Sequence, residues 1–128
     1  MLNLSIPSLR LELHLVECAW REERELFSIR RQMRELVELC EAAERATDFE
    51  ERDVRRAAHE AFLSAIAVIH LVDTAGAKLP GHAHIRARTV LAKLLDALAP
   101  HVGRADRAVR RVVVDGLEIE EALARAID

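Results

Sequence analysis

Tyrosine is absent from this 128-residue chain, tryptophan occurs once and phenylalanine three times. With so few rings, aliphatic packing has to carry the core. Neither sign of charge dominates, since 19 basic and 22 acidic side chains leave a formal charge of −3. That near balance supplies no general electrostatic drive toward nucleic acid. Only two cysteines are present, Cys18 and Cys40. On one continuous helix they stand roughly 33 Å apart, beyond disulfide reach, and read as reduced thiols. No apolar run approaches the roughly 20 residues that cross a bilayer, and the opening MLNLSIPSLR has neither a basic leader nor a long apolar stretch. A cytoplasmic location without membrane attachment is the expectation. No internal repeat, low-complexity tract or linker interrupts the chain, so one domain over residues 1–128 is expected.

What is there favours helices. Apolar residues make up 51% and charged residues 32%, with Leu, Ala, Arg and Glu prominent. The stretch from Ala61 to Val72, AFLSAIAVIHLV, is almost wholly apolar between segments rich in Arg and Glu. A helix apolar on every side needs protein or lipid around it, and twelve residues rise only about 18 Å. The stretch therefore reads as the central helix of an all-α bundle of about four helices.

A long N-terminal helix is expected from about Ser8 to Ala46, with Leu26, Ile29, Met33, Leu36, Val37 and Cys40 at helical spacing. Unbroken, it would span roughly 58 Å, too long to bury its stripe against the rest of one small domain. Either it breaks between Trp20 and Arg24 or a second chain covers it, and the partner chain is the favoured reading. Thr47 with Glu50 forms a capping box that opens a second helix, which closes near Gly76. A third helix runs from about Ala83 to Ala99, and a fourth begins near Gly103. Two segments are ambiguous: Leu9, Leu11, Leu13 and Leu15 alternate with polar residues as a strand would, and residues 112–119 also read as a minor β-hairpin about Asp115-Gly116.

Glu22 and Glu25, with Glu50 and Asp53, form the best enzyme-like pattern, because paired carboxylates suit the hard cation Mg²⁺. These four residues loosely resemble the paired acidic motifs of the all-α nucleoside-triphosphate pyrophosphohydrolases. The resemblance implies a magnesium-dependent hydrolysis of nucleotides. It departs from that family at Arg21, Arg55 and Arg56. The alternative for these carboxylates is a solvated charged face.

His82, His84 and His101 occupy interhelix positions that could bring three imidazoles together for Zn²⁺. His14 with Glu17 and His70 with Asp73 have i,i+3 spacing, and His70 reads as a buried histidine bonded to a carbonyl or acid. Glu60 follows His59 directly, and its charge argues against a phosphoryl group there. Basic clusters fall at Arg30-Arg31-Arg34, at Arg52-Arg55-Arg56 and at Arg104, Arg107, Arg110 and Arg111; the last is the most concentrated and is the candidate anion site.

Taken together, the sequence points to a homo-oligomer, expected to be a dimer, acting as a protein–protein interaction or adaptor module, with no enzymatic activity expected. Its contact is expected at Trp20, Leu26, Phe27, Met33 and Leu36. A magnesium-dependent phosphohydrolase and a nucleic-acid-binding accessory protein are the alternatives.

Overall fold

The computed structural model describes residues 5–20, 27–46, 51–74, 81–118, 120–122 and 124, and every regular element among them is helical. The protein is an all-α helical bundle. Its helices are α1 (Ser5–Ala19), α2 (Phe27–Ala46), α3 (Glu51–Thr74), α4 (Gly81–Leu98) and α5 (Arg104–Val113), with a 3₁₀ turn at Ala99–His101. Neighbouring helices in the series α1 to α4 pack on one another, and α4 returns to α1. The four thus close a ring around a single apolar core, while α5 lies outside the ring against α3.

The long N-terminal helix expected over residues 8–46 is two helices. α1 ends at Ala19, and the Trp20 amide donates back to the Glu17 carbonyl at 3.2 Å in a turn. α2 then runs antiparallel to α1. The direction is fixed by ion pairs: Arg10 Nε reaches Glu44 at 2.9 Å, and seven residues further along α1 Glu17 accepts from Arg30 at 3.2 Å and Arg34 at 3.1 Å on the earlier turns of α2. Folding back lets the two apolar stripes cover each other within one chain, which removes the reason to invoke a partner.

The strand-like alternation in α1 resolves through helical period. Ile6, Leu9, Leu13, Val16 and Trp20 recur at three and four residues and are buried, whereas Leu11 and Leu15 stand outward at 54% and 52% exposure. Nor is any helix central. Phe62, Ala65, Val68, Ile69 and Val72 of α3 face the core, but Leu63, Ala67 and His70 are exposed. His70 is therefore not the buried, bonded histidine expected. α3 is long and apolar enough to cross a bilayer by composition; in this structure its apolar side packs on α2 and α4.

Among the described residues of 112–119 there is no hairpin. α5 continues to Val113, and the Val114 amide donates to the Arg110 carbonyl at 2.7 Å. Gly116, at φ 72°, takes the left-handed conformation that turns the chain away, and the Leu117 amide returns to the Arg111 carbonyl at 3.0 Å. The Asp-Gly pair does make a turn, but it closes a helix.

Glu17 is 2% exposed, unusual for a carboxylate. Burial alone would raise its pKa, yet the hydrogen bonds and charges of Arg34 and Arg30 outweigh burial and hold it below the ordinary carboxylate value. A lowered folded-state pKa gives stability that is present above the unfolded value and lost as pH falls through the folded one. Glu17→Ala removes the buried acceptor that Arg30 and Arg34 share and should cost about 3 kcal/mol in denaturant unfolding. The gap between wild type and Glu17→Gln should be widest above about pH 5 and should close on acidification. Phe62→Ala, at a fully buried site, should cost about 4 kcal/mol through the cavity it leaves.

Candidate anion-binding cleft

Arg52, Arg55, Arg56 and His59 fall at i, i+3, i+4 and i+7 along α3, so helical geometry gathers them on one face. All four are exposed. Facing them is the start of α5, where Gly103 is the N-cap in extended backbone and no side chain caps the helix. The first amides of an α-helix have no partner inside it, which makes this end electropositive, offset in part by the Asp106 carboxylate in the first turn. The two elements enclose a cleft of about 430 Å³ lined by the three arginines, His59, Val102, Gly103, Ala105 and Asp106.

His59 and Asp106 join the walls. His59 Nδ1 lies 2.5 Å from Asp106 Oδ2, with the carboxylate side chain 13% exposed and the imidazole 49% exposed. An ionised carboxylate only accepts, so Nδ1 is the donor in this pair, and in the neutral imidazole Nε2 is then the nitrogen that carries the lone pair. Asp106, the one acid among the described residues that line the cleft, is thus already engaged by His59. The far end of α5 is anchored separately. Arg88 of α4 donates to the Val114 carbonyl at 2.8 Å, and Arg110 bridges Asp96 of α4 at 2.8 Å and Asp115 at 2.9 Å.

This is not the anion site expected at Arg104, Arg107, Arg110 and Arg111. Arg110 is committed to Asp96 and Asp115, Arg111 buries its Nη1, and neither Arg104 nor Arg107 lines the cleft. The basic face is the Arg52-Arg55-Arg56 cluster. Its helical spacing was visible in the sequence, but the Asp106 carboxylate and the α5 terminus lie some fifty residues away along the chain.

Of the carboxylate set, Glu22, Glu25 and Glu50 lie outside the described residues, and Asp53 sits in the first turn of α3. Two of the three histidines, His84 and His101, are held apart by α4. His84 lies near the start of α4, bonded to Asp73 at 3.0 Å, and His101 lies beyond its other end, about 25 Å away; the side chain of His82 lies outside the described residues. Partial burial holds His101 below its usual pKa. His14, Glu17 and Cys18 do bring ligand atoms within 4.8 Å of one another, but Glu17 already serves two arginines, whose charges oppose a dication.

The expected self-contact also changes. Trp20, Met33 and Leu36 are buried inside the single chain, at 6%, 0% and 0% exposure, and have no surface to offer a second copy without opening the bundle. Leu26 and the Phe27 side chain lie outside the described residues. Compared with protein-family models, with curated proteins and with solved structures, the chain matches none.

Both cysteines are free thiols. Burial, together with the nearby charge of Glu44, pushes Cys40 up to about 12. At pH 8, Ellman's reagent should modify Cys18, which is partly exposed, at least ~100-fold faster than Cys40, with the second thiol appearing only on unfolding.

Proposed function

We propose that this protein is a helical module that binds a phosphorylated ligand in the cleft between α3 and the start of α5. The observation that carries the reading is the meeting of three arginines on one α3 face with an uncapped helix N-terminus across a single cleft. Guanidinium groups and helix-terminal amides are the donors that phosphate oxygens select, through charge-assisted hydrogen bonds and the helix dipole. Arg110 and Arg88 hold α5 in place from its other end, so its terminal amides are arranged before the ligand arrives and less ordering entropy is lost on binding. The apolar walls at Val102 and Ala105 leave room for more than a bare phosphate.

Self-association is supported by a different observation. Leu11 and Leu15 sit one turn apart on the outer face of α1, exposed and apolar, where a second copy of the chain can cover them. Light scattering of wild type and of Leu11→Ser with Leu15→Ser tests this reading: a dimer that the double substitution dissociates supports it, and a monomer at all concentrations removes it.

Titration calorimetry with inorganic phosphate and pyrophosphate tests the binding reading. Saturable binding should weaken at least ~10-fold in Arg52→Ala with Arg56→Ala, without loss of melting temperature, since both side chains are exposed. Affinity should also fall as chloride is raised. Heats indifferent to the double substitution would overturn the reading.

A further inference from the structure

We propose that His59 is a phosphoryl acceptor, its Nε2 attacking the phosphorus of a small amidophosphate, acyl phosphate or phosphoanhydride held in the cleft. The inference rests on the binding reading above and assigns chemistry to the same site. A nucleophilic imidazole needs a fixed tautomer, a stabilised cation after attack and compensation for the phosphoryl charge. Asp106 supplies the first two, because its carboxylate holds the Nδ1 proton and faces the imidazolium that forms. Arg52, Arg55 and Arg56, with the α5 terminus, supply the third.

The objection raised by Glu60 falls away in the folded protein. Successive residues of a helix are rotated by about 100°, so Glu60 follows His59 on a different face, and it does not line the cleft. The group beside the imidazole is Asp106, on the Nδ1 side, where negative charge assists. His59 is half exposed, which leaves room for a small donor.

The step balances with phosphoramidate as donor. The reacting donor is the zwitterion, whose nitrogen carries three hydrogens: the Nε2 lone pair of the neutral imidazole forms the new N–P bond, the P–N bond of the donor breaks, and ammonia leaves with that electron pair and its three hydrogens. The Nδ1 proton stays on the ring, bonded to Asp106, and the product is the phosphorylated imidazolium, so no further acid or base is required.

Phosphoramidate incubation followed by intact mass and peptide mapping tests the proposal, with the other five histidines of the chain as internal controls. The expected result is one added phosphoryl group, acid-labile and alkali-stable, at His59 at least ~10-fold faster than at any other histidine. His59→Gln should abolish it. Asp106→Asn and Arg52→Ala with Arg56→Ala should each slow it ~10-fold, with melting curves confirming that α5 stays docked. If Asp106→Asn unfolds the chain, the arginine variant alone decides. Equal labelling of all histidines, or a His59 rate indifferent to the arginines, would overturn the proposal. A chain that binds phosphate in calorimetry but is never labelled at His59 refutes the acceptor role and leaves the binding reading standing; a chain that binds no phosphate refutes both.

Discussion

The fold depends on covering α3. Its central residues are too apolar to leave in water, and at about 25 cal/mol per Å² their burial is a large part of the free energy that orders the chain. Flanking helices α2 and α4 cover one side, α1 completes the ring between them, and the 3₁₀ turn and α5 close over part of what remains. The outward strip at Leu63, Ala67 and His70 is what four helices in a ring cannot reach. The first turns of α3 are different in kind. There the apolar pattern thins to Val54 and Ala58, and arginines take the outer positions.

Ion pairs do not hold this bundle together so much as choose its arrangement. Among its described residues the α1–α2 hairpin has one buried acid, Glu17, and two guanidiniums from α2 converge on one of its oxygens. A sliding of the hairpin that took both guanidiniums away would bury that carboxylate without a partner, which low-dielectric surroundings penalise heavily. Arg10 with Glu41 and Glu44 repeats the constraint near the other end with more exposed groups. Asp73, shared by His84 and Arg88, sets α3 against α4 in the same manner at a site more open to solvent.

The cleft follows from where α5 is tied. Arg88 and Arg110 secure its C-terminal half to α4, and His59 with Asp106 pins its first turn to α3. Between these points Gly103 opens the helix without a capping side chain. The result is a helix end held over an arginine face, and this is the cleft proposed to take a phosphorylated ligand.

The sequence by itself determined the all-α class, because the spacing of Ile29, Met33, Leu36 and Cys40 and the length of the apolar run in α3 are local properties of helical period. It also placed Arg52, Arg55 and Arg56 together, since their i, i+3, i+4 spacing needs only a helix. The break before α2 was open in the sequence, because whether a long amphipathic stripe folds back or meets a second chain depends on what else can cover it. For the same reason Trp20, Met33 and Leu36, apolar enough for an interface, became core. Only the tertiary structure decided that Asp106 meets His59 across forty-seven residues and that Arg110 is spent on Asp96 and Asp115. Local pattern fixes which side of a helix a charge lies on; which opposite charge it meets is set by how the helices pack.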